Sequence, residues 1–296
     1  MLDRDGLQMR AAFFRAIRLF FEEQGFLEVD TPIRQPLLIP EKYIVPIPSG
    51  SHFLQSSPEL YMKRLLAAGC DQIFQICHCF RQGERGRLHL EEFVMLEWYR
   101  LDADYGALMT DCENLFDFLT REMVGCVFPV PLDVGWERLT VAEAFSRHCS
   151  VSVTEALEKD VFDQLLVEQV EPQLGQDRPT FLCDYPLELA SLARPKPGQP
   201  DVAERFELYV SGIELANGFS ELTDPDLQRK RFEEEYATMD NERGRQKKMP
   251  ERFLKDLGRI ERAAGIAMGL DRLFMLFLGR KKVADAVSFG PDELDS

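Results

Sequence analysis

The apolar positions of this chain change period several times, and each change marks an element. Across residues 7–24 Ala, Phe, Ile and Leu recur at three- and four-residue steps, with Arg10, Arg15, Arg18 and Glu22 between them, which predicts an amphipathic helix. Residues 33–50 lose that period and gain proline, predicting a loop with short strands that shapes a cleft. Two apolar runs, 74–79 and 93–99, flank a charged loop and read as the strands of a hairpin. Residues 105–124 and 140–148 return to helical spacing, the second with Thr140 as N-cap and Glu143 closing a capping box. Residues 154–173 predict a further helix. Strands are expected at 207–210 and 213–215, joined by a turn at Ser211 and Gly212. Gly265, Ala267 and Gly269 alternate through another strand, as where a second backbone or a ligand comes close, and Arg272 falls in the first turn of the apolar helix that follows. Residues 192–200 (LARPKPGQP) read as a flexible loop, and residues 226–248 as a charged helix with a solvated face.

Composition narrows the class. With 45% hydrophobic residues among 296, the chain can bury a large core, and one α+β domain over residues 1–296 is expected. No apolar run reaches transmembrane length, and MLDRDGLQMR has no secretory h-region. Seven cysteines, an odd number, suggest reduced thiols and a cytoplasmic location. Cys77 and Cys79 share a strand face, but no second pair completes a metal motif, so core packing is expected of them. Of His52, His78, His89 and His148, none shows ligand spacing and only His89 sits among other candidate residues. A formal charge of −16 offers no general attraction to nucleic acid.

Three segments carry candidate chemistry. The loop between the first two strands presents Arg81, Glu84, Arg85, Arg87 and His89, and the planar donor fork of arginine suits a polyphosphate. Phe93, just after the loop, is placed to stack on a base. Glu97 lies inside the apolar run VMLEWY, where an unpaired charge is costly and an ammonium partner would relieve it. Further on, Glu207 and Glu214 face one cleft across the predicted hairpin. Clustered carboxylates repel unless a cation shares them, and Mg²⁺ with nucleotide phosphate is the usual hard-ligand solution.

Together these residues make the chain resemble the catalytic core of class II lysyl-tRNA synthetases, and more closely their shortened relatives, the elongation factor P–lysine ligases. Residues 25–33 (GFLEVDTPI) resemble the first class II motif, 80–97 the second and 265–272 the third; SPELYMKRLL at 57–66 and the segment 212–222 resemble signatures of the lysine branch. The resemblance implies an antiparallel sheet flanked by helices, a homodimer built through the first motif, and ATP with Mg²⁺ as the reaction's nucleotide and metal. It implies that Arg81 contacts the α-phosphate, with His89 near the outer phosphates or the adenine edge. Phe93 and Arg272 would cover the two faces of adenine, Arg272 also reaching the γ-phosphate. It further implies Glu207 and Glu214 as the metal carboxylates, and Glu59 and Asn217 at the backbone end of the amino acid. Glu97, Tyr99 and Glu221 would hold the side-chain ammonium.

The sequence departs from the family in the second motif. Gly83 stands where synthetases carry Glu, with Glu84 beside it; Leu88 replaces a basic residue, with Arg87 next to it; Leu90 and Glu91 replace an Asn-Pro pair. These departures bear on the loop's contacts to ATP. Ala267 stands where the synthetases usually have Gly and the shortened ligases Ala. A methyl at the pocket floor tunes which lysine isomer fits, by roughly 1–3 kcal/mol, and the resemblance implies (R)-β-lysine. The first helix leads directly into GFLEVDTPI, so no anticodon-binding barrel is expected before the core. Transfer to a lysine side chain of elongation factor P is therefore the expected reaction. tRNA charging and a non-catalytic regulatory paralogue are the alternatives.

Overall fold

The computed structural model describes residues 1–41, 43–126, 128–190, 192–239 and 248–294. Helix α1 (Arg4–Glu23) begins where the Asp3 carboxylate accepts the Gly6 N–H at 2.8 Å and ends before Gly25, whose φ of 79° favours glycine. Short strands β1 (Leu27–Glu28), β2 (Arg34–Gln35), β3 (Pro48–Ser49) and β4 (His52–Leu54) follow, then α2 (Glu59–Ala67). The predicted hairpin is β5 (Gln72–Phe80) and β6 (Glu92–Leu101), succeeded by α3 (Tyr105–Glu122). After β7 (Glu137–Thr140) comes α4 (Val141–His148), capped by Thr140 and Glu143 as the sequence predicts.

The helix expected over 154–173 is broken. It forms α5 (Val153–Glu158), α6 (Phe162–Leu165), a π turn over Leu166–Val170 and a 3₁₀ turn over Glu171–Gln173. Asp160, at φ 55°, stands in the first break, and Pro172 sits in the last turn. Strands β8 (Thr180–Pro186), β9 (Pro195–Lys196), β10 (Gln199–Val210) and β11 (Ile213–Ser220) come next. The segment read as a flexible loop, 192–200, is thus mostly sheet: β9 turns through Gly198 (φ 79°) into β10, and Arg194 pairs with Glu204 at 2.6 Å. The charged helix is α7 (Pro225–Thr238), capped by Asp224, while residues 240–247 of that prediction lie outside the described residues. The chain continues through α8 (Glu251–Leu257), β12 (Ala263–Gly269) and α9 (Leu270–Phe277).

The main sheet has nine strands in the order β1-β5-β6-β12-β11-β10-β8-β7, with β9 added to β10. Its body is antiparallel as expected, but β1 on β5 and β7 on β8 are parallel edges. Each parallel pair is joined by a long crossover carrying helix, α2 in one case and α4 to α6 in the other. One face packs Phe74, Leu96, Trp98, Leu208 and Ile266 against α1, α3 and α9. On the other face two smaller cores stand apart: Leu60, Leu66, Phe232 and Leu254 join α2, α7 and α8, while Phe145, Phe162, Leu182 and Tyr209 gather at α4 to α6. The open sheet between them is the floor of a cleft of about 600 Å³.

Candidate active site

The register of four central strands builds that floor. Asn217, Ala267, Glu97 and Gln75 form one row across β11, β12, β6 and β5, and Phe219, Gly265 and Tyr99 begin the next. Gly265 is there because nothing larger fits: a Cβ would lie 2.2 Å from Tyr99 Cε1 and 2.5 Å from Glu221 Oε1. Glu97 is 1% exposed. Ser57 Oγ donates to its Oε1 at 2.6 Å and Tyr99 OH to its Oε2 at 2.7 Å. Burial, followed by the charge of Glu59, pushes the Glu97 carboxyl up to about 8.

Glu59 opens α2, and one helical turn later Lys63 reaches back to it and across to Glu221 Oε2 at 2.5 Å. Burial would lower the Lys63 ammonium, but the charges of Glu221 and Glu59 outweigh it and hold the group above its ordinary value. Burial also raises Glu221 to about 8, against the pull of Lys63. Glu221 is therefore not on the cleft surface where it was expected. It lies behind Gly265, with Oε1 lacking a hydrogen-bond partner among the described residues.

A β-bulge brings the second carboxylate pair together. Glu207 stands opposite Asn217, but Tyr209 stands opposite Glu214, so Leu215 is an extra residue in β11. In a regular strand Glu214 and Asn217, three apart, would point to opposite faces; the bulge returns both to the cleft. Ser211 (φ 53°) and Gly212 (φ 70°) make the tight turn between the strands. Glu207 accepts from Tyr185 OH at 2.5 Å, Tyr209 OH at 2.6 Å and Arg205 Nη2 at 2.7 Å. Burial and the charge of Glu207 raise the Glu214 carboxyl, and the same two causes raise Glu171, beside them, to about 7.

Arg272, in the first turn of α9, closes the other end. It donates to the Leu88 carbonyl at 3.0 Å, to the Glu214 carbonyl at 2.9 Å and to the Glu214 carboxylate at 3.3 Å. Its Nη2 lies 2.7 Å from His89 Nε2. A guanidinium only donates, so that nitrogen is the acceptor and His89 carries its proton on Nδ1. Burial and Arg272 lower the His89 pKa, which keeps the ring neutral. The Arg81 guanidinium sits over the Phe93 ring at 5.2 Å, with Glu84 3.9 Å away. The altered loop closes on itself: Glu91 accepts the Gly83 N–H at 2.7 Å and pairs with Arg85, while Leu90 is buried in the main core. Arg85 and Arg87 consequently turn to solvent rather than to the cleft.

The cleft lining thus includes Arg81, Glu84, His89, Phe93, Glu207, Glu214 and Arg272 at one end, and Glu59, Glu97, Tyr99, Asn217 and Ala267 at the other. Glu41, Tyr43 and Ile44, from the proline-rich segment, also border it. Sequence reasoning missed Ser57, Lys63, Tyr185 and Arg205. For the last, the signal was available: Arg205 precedes Glu207 by two, hence shares its strand face, and also donates to Asn217 Oδ1 at 3.3 Å.

The carboxylates fit Mg²⁺. Glu207 and Glu214 offer hard oxygens, and a cation would relieve the repulsion that raises Glu214. Among the described residues no three or more metal-binding side chains form a cage, so Glu207 and Glu214 would hold a cation only together with other oxygen ligands.

The family profile described as tRNA synthetases class II (D, K and N) matches residues 3–293. The chain is 36% identical to the elongation factor P–(R)-β-lysine ligase of Enterobacter sp. (strain 638), over 97% of this chain and 95% of that one. It is 36% identical to the same enzyme of Klebsiella pneumoniae subsp. pneumoniae and 37% identical to that of Salmonella gallinarum, with the same coverage. With the three-motif cleft, these matches establish that the chain belongs to the class II tRNA synthetases (D, K and N) and, within them, to the family of the elongation factor P–(R)-β-lysine ligases.

Proposed function

We propose that the protein activates a lysine, with (R)-β-lysine preferred, as an aminoacyl-adenylate and transfers it to a lysine side chain of elongation factor P. The observation that carries this reading is one continuous cleft with Glu59 and Glu97 at its amino-acid end, Glu221 buried behind them, and Arg81, His89 and Arg272 at the other.

In the first half-reaction an oxygen of the substrate carboxylate attacks the α-phosphorus of ATP, and the bond to pyrophosphate breaks. Arg81 binds the α-phosphate and Arg272 the γ-phosphate, with Phe93 and Arg272 on the two faces of adenine. Their positive charge offsets what develops on the phosphoryl oxygens. Glu84, next to Arg81, holds that guanidinium in place. His89, neutral and accepting from Arg272, orients it and faces the outer phosphates. Glu207 and Glu214 would hold Mg²⁺, which when bound would supply further charge neutralisation at the phosphates. Glu59 and Asn217 hold the backbone end of the amino acid. Glu97 and Tyr99 hold the side-chain ammonium, Glu221 adds negative charge from behind Gly265, and Ala267 sets the depth of the floor. In the second half-reaction the neutral acceptor amine attacks the acyl carbon; a C–N bond forms, AMP leaves and a proton is released. Positioning supplies much of the acceleration, and no covalent enzyme intermediate is needed.

We read residues 1–296 as one catalytic domain acting as a homodimer through the 25–33 segment. Among the described residues no helix is long and apolar enough to cross a membrane. The seven unpaired cysteines support a cytoplasmic setting. The test is intact-mass analysis of elongation factor P and, in parallel, of lysine tRNA after incubation with enzyme, ATP and (R)-β-lysine or α-lysine. A β-lysyl mass increment on the factor is expected. Charging of the tRNA alone would replace this reading with tRNA aminoacylation.

A further inference from the structure

Lys63 is 2% exposed, a buried cation behind the amino-acid end of the cleft, paired with Glu59 and Glu221. The groups that face it are Glu59 on its own helix, Glu97 on β6, the Phe219 ring on β11 and Glu221 just after β11. The ammonium sits 5.2 Å from the Phe219 ring centroid and contacts one oxygen each of Glu59 and Glu221. Glu41, whose carboxyl burial raises to about 7, also faces Glu59, but the largest charge acting on it is Arg81, with Glu235 of α7 acting more weakly. Asp256 of α8 is taken by Arg64 at 2.8 Å, and Arg231 of α7 donates to the Ala193 carbonyl at 2.6 Å.

Charge can then be counted. Glu59, Glu97 and Glu221 bring three carboxylates into one buried space, and Lys63 cancels one of them. Once Glu97 and Glu221 are ionised, what remains matches two positive charges. A second sign of uncompensated charge is Glu221 Oε1, buried beside Gly265 with no hydrogen-bond partner among the described residues. Removing Lys63 would leave three like charges close together, and such a group keeps a proton rather than ionise fully.

We propose that Lys63 is a positioning residue, a built-in counter-cation that sets the pocket's residual charge at two negatives and so selects amino acids bearing two ammonium groups over those bearing one. This deepens the proposed function and rests on its assignment of the pocket. A monoammonium isostere such as norleucine leaves one buried carboxylate uncompensated, whereas lysine or β-lysine compensates both.

Two readouts on Lys63→Met test it. In ATP–pyrophosphate exchange the acid limb of kcat/KM for the diamino acid should move up by about one pH unit or more. The loss is expected mainly in KM, roughly tenfold at pH 7, with recovery above pH 9. In the substrate-free protein, carboxyl-¹³C glutamate NMR should show the Glu97 and Glu221 resonances titrating higher by a similar margin. In the charge-balanced double variant Lys63→Met/Glu221→Gln, the Glu97 midpoint should return towards wild type, which also serves if the single variant does not fold. Unchanged Glu97 and Glu221 midpoints in folded Lys63→Met, or a Glu97 midpoint in the double variant that stays far from wild type, would overturn the proposal. Absence of exchange by the wild-type protein with any amino acid would instead defeat the adenylation reading, and the NMR titrations would still decide the role of Lys63.

Discussion

At the scale of single residues the pocket is built against the stability of the empty protein. Among the described residues Glu97 accepts two neutral donors, and it stays protonated up to about 8, so ionising it without a substrate ammonium is costly. Glu97→Gln should therefore lower kcat/KM for lysine or β-lysine by about 10²-fold, the cost of removing one partner from a buried charged pair. Its melting temperature at pH 8 should equal or exceed that of wild type. A scanning-calorimetry comparison beside the exchange assay checks both halves. Glu97 was legible in the sequence because a carboxylate inside VMLEWY contradicts its surroundings. Lys63 was not: in YMKRLL a lysine reads as a helix residue whose head reaches water, and only the fold shows α2 turning that side into the site. Glu221 was legible as a site residue, but its place behind Gly265 depends on a close approach no local pattern encodes.

The elements show a similar division. Strands with clear alternation and capped helices were readable, down to the Thr140–Glu143 box. The broken helix after residue 154 and the β9–β10 turn were not, because packing at α4 to α6 and pairing with β10 override local propensity there. The bulge at Leu215 was equally invisible, although it decides which way Glu214 points. The Gly265 alternation, by contrast, was a true sign of close approach. Gly265→Ala would drive a methyl into the Tyr99 ring and Glu221, and overpacking of this kind costs about 1–3 kcal/mol. We expect denaturant melts to show that loss, and lysine-dependent exchange to fall further than the loss of folded protein explains, because Tyr99 and Glu221 must both move.

Across the whole molecule the N-terminal helix is wired to the nucleotide end. Arg10 on α1 bonds Asp271 at 2.7 Å and the Ala286 carbonyl at 2.9 Å; the other Asp271 oxygen accepts the Val94 N–H at 2.7 Å, between Phe93 and Arg272 in the cleft wall. Both partners are largely buried, so Arg10→Met strands a carboxylate and should cost about 3–5 kcal/mol in urea unfolding. KM for ATP should rise with it. The pocket also sets a pH trend. Glu97 and Glu221 hold their protons up to about 8 in the fold, but lose them near the ordinary carboxylate value when unfolded. Their contribution to stability is thus fully present at low pH and is lost as pH rises towards 8. A diammonium substrate binds the ionised forms, so the melting-temperature gain from saturating lysine or β-lysine should be larger at about pH 8 than at about pH 6. The central claim, adenylation of a lysine in this cleft, is tested most directly by ATP–pyrophosphate exchange with α-lysine, both β-lysine enantiomers and norleucine. Exchange that requires a diamino acid and is strongest with (R)-β-lysine is the predicted result; folded protein that supports no exchange with any of them would contradict the account.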